Sequence, residues 1–466
     1  MCSFLITNIK QIEKDLNRLN RKLQYRGPDR TTMLQIKYKQ QQLTFLHNLL
    51  SITGSSHNKK NQPFTNADQS IIAIYNGEIY NYKEFISNNP NQTYMMGNNQ
   101  ISDGECLIPA YLKYGPTFPQ RLYGEFAIIL FDLNRDIMVI SSDIFATKPM
   151  YLSFKDGNFG ISSYQYALEE MGFKDNYKMQ ENTILMVSLQ SHEFKYLGKV
   201  YEFQLNQYKT NFNDWNKAFN RALKLRTDNL KTGVGVTLSS GYDSGTLCCA
   251  LSQNNIKHHT FSCLTQSENN VLIYSRSNFR SYNQIAHLFQ LNNLNREKLR
   301  QEIHQKIDKF TSFVDKGKTK SYSILKDDAT LGMGFMYQKL RENNCLVHLS
   351  GQGADEIFAD YGFNGIKFKS HSCFGGKFPD NLQNIFPWFS FYKGTQECFL
   401  MKEEYVAGCY GIENRYPYLD KDVVQEFLWL SPQLKNNNYK APLHNYMQQY
   451  SYPFDLNKKS GFSCIT

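Results

Sequence analysis

Two stretches in the second half of the chain limit its fold more than any other feature. "VGVTL" (Val234 to Leu238) is apolar throughout, runs into the Gly/Ser turn "SSGYDSGT", and continues as a helix-like "GTLCCALSQNN". "CLVHL" (Cys345 to Leu349) repeats the scheme, leading into "SGQGADE" and then a helical "IFADYG". Apolar strand, polar loop and helix in succession is the pattern of a parallel, doubly wound sheet, whose strands are buried on both faces.

The first two hundred residues have another rhythm. "SIIAIYNGEIY", "FAIILFDLNRDIMVISSD", "MYLSFKDGNFGISS" and "TILMVSLQSHEFKYL" contain β-rich runs, with turn-prone "LNRD" and "KDGN" between paired segments. "GECLIPAYLKYG" reads as a helix among them. This half is therefore expected to be α+β, antiparallel sheets with helices packed outside, ahead of an α/β half. At 466 residues the chain exceeds one ordinary core. The boundary is placed near residue 205, giving domains 2–205 and 206–466.

Composition narrows the class. With 41% hydrophobic and 14% aromatic residues the chain folds. Its longest apolar runs, such as "FAIILF", fall far short of the roughly 20 residues that span a bilayer. No charged-then-apolar leader opens it, and its ten cysteines include no CxxC pair. A reduced, cytoplasmic setting without membrane is expected. The net charge of +10 is scattered, with no arginine-rich arm, which argues against nucleic acid. "ISNNPNQ" and "LKNNNYK" read as polar surface loops.

The loop from Leu238 to Thr246 points backbone N–H groups and a helix N-terminus at whatever lies above the strand end, which makes an anion site. Gly241 lets the main chain approach closely; Ser239, Ser240 and Ser244 add hydroxyl donors; Asp243 orients the loop or helps hold a metal. The second loop brings Ser350 and Gly351 together with the adjacent acids Asp355 and Glu356. Meeting at one sheet edge, the two loops offer phosphate donors on one side and Mg²⁺-binding oxygens on the other. At the other end of the chain, Cys2 follows the initiator methionine. Once that methionine is trimmed, its thiol and its own α-amine are matched for proton exchange near neutral pH.

These stretches carry a resemblance. "SSGYDS" looks like the SGGxDS pyrophosphate loop of the N-type ATP pyrophosphatases, and "LSGQGADE" resembles the SGEGxDE loop of asparagine synthetases within that group. "GIENRYPYLD" (Gly411 to Asp420) resembles GVEARVPFLD, and "NKKSGF" (Asn457 to Phe462) resembles a closing RKKxGF. In the first half "RGPD" (Arg26 to Asp29), "YNGEIYNY" (Tyr75 to Tyr82), "SDGE" (Ser102 to Glu105) and "KPMY" (Lys148 to Tyr151) are similar to motifs of the glutamine-hydrolysing members. Nearly the whole chain is covered.

The resemblance implies an N-terminal-nucleophile hydrolase sandwich followed by a synthetase domain. It implies that Cys2 attacks the glutamine amide, that Asn76 and the Gly77 N–H form the oxyanion hole, and that Asp103, with Glu78 and Arg26 beside it, binds glutamine. The loop Leu238, Ser239, Ser240, Gly241, Asp243 and Ser244, with Ser350 and Gly351, would hold ATP and pyrophosphate. Asp243 and Asp355 would take Mg²⁺, and Lys459 would neutralise the adenylated intermediate. Glu413 and Arg415 are expected to buttress the site as a buried ion pair. ATP, Mg²⁺, glutamine and an acceptor carboxylate, aspartate by default, are the implied small molecules, and a homodimer is left open.

Some positions depart from the family. Leu49, in "LHNLLSITG", stands where the family has the arginine that grips the α-carboxylate of glutamine; either another arginine, Arg26 or Arg30, substitutes, or the glutaminase is weak or uses a different donor. Gln352 replaces a glutamate that assists deprotonation, and glutamine is no base near pH 7. Ser240 replaces a loop glycine, while Ser142 and Ala146 replace arginine and glycine of an RDxxGxKPLY stretch. "VLIYSRSNFRSYNQIAHLF" has no counterpart. Amidation of another small carboxylate, a non-catalytic ATP-binding protein and an RNA-modifying adenylating enzyme are the competing readings.

Overall fold

The computed structural model describes residues 2–10, 13–53, 61–86, 102–266, 268–279, 282–290, 293–307, 310–315, 318–322 and 328–456. Lys459, the "NKKSGF" stretch and most of "ISNNPNQ" lie outside the described residues. The chain packs as two compact units, Met1–Glu202 and Phe203–Thr466.

The first unit contains β1 Ser3–Thr7, β2 Arg30–Tyr38, β3 Gln41–Leu49, β4 Phe64–Thr65, β5 Ile71–Ile79, β6 Gly124–Asp132, β7 Ile137–Ser142, β8 Tyr151–Lys155, β9 Asn158–Ser162, β10 Tyr177–Lys178, β11 Ile184–Ser188 and β12 Phe194–Gly198. They form two antiparallel six-stranded sheets, ordered β10-β8-β9-β1-β3-β2 and β12-β11-β7-β6-β5-β4. Alternation along the strands sends one set of side chains inward. Phe4, Ile6, Phe45, Ile72, Ile74 and Ile129 interdigitate there in a fully buried core. Outside, the helix Glu13–Leu23 covers the first sheet, where the Asn20 and Asn48 amides bond each other. On the second sheet's outer side Tyr111, from the helix Leu107–Tyr114, donates to Asp132 at 2.6 Å.

In the second unit β13 Val234–Thr237, β14 His258–Cys263 and β15 Gln284–Phe289 are followed by a hairpin, β16 Phe310–Asp315 and β17 Lys318–Tyr322. Then come β18 Val347–Leu349, a short hairpin of β19 Gly362–Phe363 and β20 Ile366–Lys367, and β21 Glu413–Arg415. The main sheet is ordered β15-β14-β13-β18-β21, and every pair in it is parallel. This is the doubly wound architecture that the two apolar strands predict. Among the described residues no helix is long and apolar enough to cross a membrane.

Two local expectations fail. "IFADYG" is helical only to Phe358, because Asp360 and Tyr361 turn to φ +41° and +51°. "LKNNNYK" is no surface loop: Pro432–Asn437 is a helix, and Lys435 and Lys440 are buried. Burial lowers the Lys435 pKa from 10.5 to about 6, and each amine finds polar partners. For Lys435 they are the Leu428 and Leu430 carbonyls and Gln207 Oε1, at 2.6–2.8 Å.

Ala146, in a glycine position of the resembled motif, adopts φ +49° beside Asp143. The Asp143 carboxylate accepts from the main chain of Phe126, Phe145 and Thr147 and locks that turn. A left-handed alanine costs roughly 1 kcal/mol. Ala146→Gly is therefore expected to leave the first unit equally stable or stabilise it by up to about 1 kcal/mol; urea unfolding followed by tyrosine fluorescence checks this.

Candidate functional site

In the first unit the apolar rows stop short of one end of the sandwich, and polar residues continue them. On the first sheet the inner-face rows run Leu34–Phe45–Ile6, Thr32–His47–Phe4 and then Arg30–Leu49. Extending the β1–β3 register by one residue sets Cys2 beside Leu49. On the facing sheet Ile72–Phe131 and Ile74–Ile129 lead to Asn76–Ala127 and Glu78–Glu125.

A bond joins the sheets here: the Cys2 main-chain nitrogen donates to Asn76 Oδ1 at 2.9 Å. Asn76 is fully buried, and among the described residues its Nδ2 has no hydrogen-bond partner. A buried donor left open costs about 1–3 kcal/mol, so a site that retains one is suited to a ligand acceptor. Gly77 follows at φ +142°, and a Cβ there would lie 1.9 Å from the Glu125 carbonyl oxygen. Only glycine fits.

Asp103 is buried, and its Oδ2 accepts from the Ile79 N–H at 2.8 Å. Burial first, then the charges of Asp103 and Glu78, hold the Tyr75 hydroxyl far above its usual range. The two carboxylates thus give this pocket a negative potential, which favours a cation such as an ammonium. Arg26, expected at the ligand, is fully buried and otherwise engaged. Its Nε donates to the Cys2 carbonyl at 3.0 Å, and its guanidinium lies over the Tyr164 ring. Arg26 fixes the Cys2 main chain.

In the second unit the strand order reverses between β13 and β18, which makes their carboxyl ends the switch point of the sheet. The two glycine loops flank it and touch. A Cβ on Gly351 would fall 2.9 Å from Asp243 Cβ. Within the first loop Ser239 N–H donates to Ser244 Oγ and Gly241 N–H to Ser239 Oγ. Ser240 turns both its N–H and its hydroxyl to the Glu268 carboxylate, so its donors face away from the loop mouth. Leu238 N–H pairs with the Phe261 carbonyl at 2.9 Å. Buried Arg276, from the stretch without counterpart, donates to the Ser239 and Gly241 carbonyls at 2.6 and 2.8 Å. Ser350 Oγ donates to Glu403 at 2.6 Å and accepts from the Gln352 N–H at 3.0 Å. Glu413 and Arg415 form a buried ion pair at 2.8 Å.

Asp243 and Asp355 converge on Lys440. Its ammonium pairs with Asp243 and, at 2.8 Å, with Asp355 Oδ1, which also accepts from the Tyr439 hydroxyl at 2.8 Å. Two carboxylates with hard oxygen donors suit Mg²⁺ in chemistry, and here a protein cation joins them. Among the described residues no group of three or more His, Cys, Asp or Glu is arranged to hold a metal ion. Sequence reasoning missed Lys440, Glu268 and Arg276. The start signal "KAPL", with Pro442 in the first helical turn, marks the first of these; the other two carry no local signal.

Comparison with known proteins identifies the chain. A family model described as a glutamine amidotransferase domain matches residues 1–217, and one described as asparagine synthase matches residues 214–386. The glutamine-hydrolyzing asparagine synthetase 1 of Arabidopsis thaliana is 24% identical over 451 residues, covering 90% of this chain and 67% of the relative. The enzyme of Sandersonia aurantiaca is 24% identical over 448 residues, covering 90% and 75%. The chain belongs to the glutamine-hydrolysing asparagine synthetase family. A solved structure, the allosteric regulatory enzyme of purine biosynthesis, matches at 10% identity and TM-score 0.36 over 62% of this chain and 80% of its own. Asparagine synthetase-like chemistry, glutamine-dependent amidation driven by ATP, is the chemistry of this chain.

Next to the second loop, burial also shifts an acid of the helix Thr395–Cys409, Glu403, which accepts from Ser350. Burial pushes the Glu403 carboxyl up from 4.5 to about 7, reinforced by Glu404 and Glu356 and opposed by the Ser350 bond and Lys402. The folded state then binds more protons than the unfolded chain between about pH 4.5 and 7, so stability falls as pH rises through that window. Glu403→Gln, which keeps an acceptor for Ser350, should make this fall shallower; denaturation midpoints at pH 5 and pH 8 test it. Lys440→Met leaves Asp243 and Asp355 facing each other uncompensated and should destabilise the second unit by about 3 kcal/mol or more, read by urea unfolding.

Proposed function

We propose that residues 2–205 hydrolyse glutamine at Cys2 and that residues 206–466 use the ammonia to amidate an adenylated carboxylate, converting aspartate to asparagine with release of AMP and pyrophosphate. The observation that carries the reading is the pairing of the Cys2 nitrogen with Asn76 Oδ1, which leaves the buried Asn76 Nδ2 open. With Met1 removed, that nitrogen is the α-amine. It takes the thiol proton as Sγ attacks the amide carbon, and passes a proton to the departing ammonia. Asn76 Nδ2 and the Gly77 N–H receive the charge that develops on the amide oxygen. Water then releases glutamate from the thioester. Asp103, with Glu78, binds the α-ammonium of glutamine.

At the second site the acceptor carboxylate attacks the α-phosphorus of ATP, pyrophosphate leaves, and ammonia displaces AMP from the acyl-adenylate. The Leu238–Ser244 loop, with Ser350 and Gly351, cradles the phosphates, and Lys459 neutralises the intermediate. Asp243 and Asp355 are the residues that would hold Mg²⁺, which when bound neutralises phosphate charge. The reading places the protein in the cytoplasm.

Pyrophosphate release from Mg·ATP with aspartate, glutamine against ammonium, tests both halves. Cys2→Ala should abolish only the glutamine-driven rate. Asn76→Ala should lower that rate about a hundredfold or more and spare the ammonium-driven one. Turnover with another carboxylate and none with aspartate would reassign the acceptor, and absence of ATP binding would leave an interaction protein.

A further inference from the structure

The amide-donor pocket has carboxylates for an α-ammonium, yet glutamine also carries an α-carboxylate that needs a cation. Among the described residues of the first unit, Arg26, Lys148 and Arg30 bear on this end of the sandwich. Arg26 is engaged with the Cys2 carbonyl and Tyr164. Lys148 is buried against Glu125, its Nζ 3.5 Å from Oε2. Arg30 is exposed, and among the described residues no carboxylate pairs with it.

The register decides where the Arg30 side chain stands. Arg30 is directly opposite Leu49, and the β1–β3 register carried one residue further puts Leu49 opposite Cys2. Directly opposed residues of antiparallel strands project to the same face. That face is the inner one, because Thr32, Leu34 and Ile36, at two-residue steps from Arg30, are the half-buried set of β2 and the alternate residues are exposed. Leu34 and Ile36 pack on the inter-sheet core. Cys2, Leu49 and Arg30 therefore form one row across three strands. The outer two are about 10 Å apart at the backbone, two strand spacings, a gap that a bound amino acid and an arginine side chain fill together.

The guanidinium is also held toward the facing sheet. With its amide oxygen turned to Arg30, Asn61 accepts from Nη1 at 3.2 Å and Nη2 at 3.3 Å. The next residue, Gln62, accepts the Tyr75 N–H at 2.7 Å, one residue before Asn76. We propose that Arg30 binds the α-carboxylate of the amide donor, doing from β2 what an arginine at position 49 would do from β3. The geometry moves the cation one strand along the same row, so Leu49 is a relocation of the charge and not a loss of donor recognition. This rests on the reading of Cys2 as the glutamine nucleophile.

The test is steady-state hydrolysis of glutamine and of 4-aminobutanamide, which is glutamine without its carboxylate. Arg30→Met should raise the KM for glutamine roughly 10- to 100-fold, the loss of a charge-assisted contact. It should leave 4-aminobutanamide hydrolysis and ammonium-driven synthesis unchanged. Adding Leu49→Arg to Arg30→Met should restore much of the glutamine KM, since it returns a guanidinium to the row. An unchanged glutamine KM in Arg30→Met, or equal losses on both donors, overturns the proposal while the amide-donor reading stands. Wild-type protein that hydrolyses neither donor overturns that reading and the proposal with it.

Discussion

Two ionised carboxylates brought to one point repel unless a cation stands between them or one takes up a proton, and the second unit meets that requirement with a cation. Asp243 begins the helix after β13, and Asp355 begins the helix after β18. Parallel pairing of these strands brings both acids to the switch point. At an effective dielectric near 20, unlike charges about 4 Å apart attract by roughly 4 kcal/mol, and like charges repel by as much. Lys440 changes the sign of the balance. It reaches the acids from a left-handed position, φ +48°, at the head of the helix Ala441–Gln449. Gly351 allows the loops to close, Tyr418 fixes the Asp243 carbonyl at 2.7 Å, and Arg276 ties down two carbonyls of the first loop.

The first unit solves a different problem with the same means. An apolar sandwich must end somewhere, and where it ends here the inward positions become Cys2, Asn76, Glu78 and Glu125 without any break in strand register. The open donor on Asn76 and the positive φ of Gly77 are local costs. They are tolerated because both residues lie within the nine-residue β5, which pairs along its whole length with the nine-residue β6.

Much of this was legible in sequence because it is written locally. Apolar strands that end in glycine loops announce β13 and β18, and the residues that converge beside them, Asp243, Gly351 and Asp355, lie within those loops. Cys2 stood out by its place behind the initiator methionine, and Asn76 and Asp103 through the family resemblance of "YNGEIYNY" and "SDGE". The hidden parts depend on distant neighbours. Lys440 sits in an asparagine-rich stretch whose composition suggests solvent, and its burial follows from acids 197 and 85 positions away, at Asp243 and Asp355. Arg26 was expected at the ligand, and its bond to the Cys2 carbonyl and its place over the Tyr164 ring, neither of them local in sequence, give it a structural task. The proposed meaning of Leu49 could not be read from its own strand, because it depends on Arg30, the residue in register with it on β2.

The facing rows of the sandwich have a mechanical meaning. Cys2 stands on one sheet and Asn76 on the other, so on the proposed reading the separation of the reacting groups is set by whatever fills the space between the sheets. Phe4, Ile74 and Phe45 are in that sense a spacer. Protein interiors resist compression, and a core of this kind works as a gauge block. Its thickness, fixed by residues that never meet a ligand, sets how wide the jaws of the first site stand open.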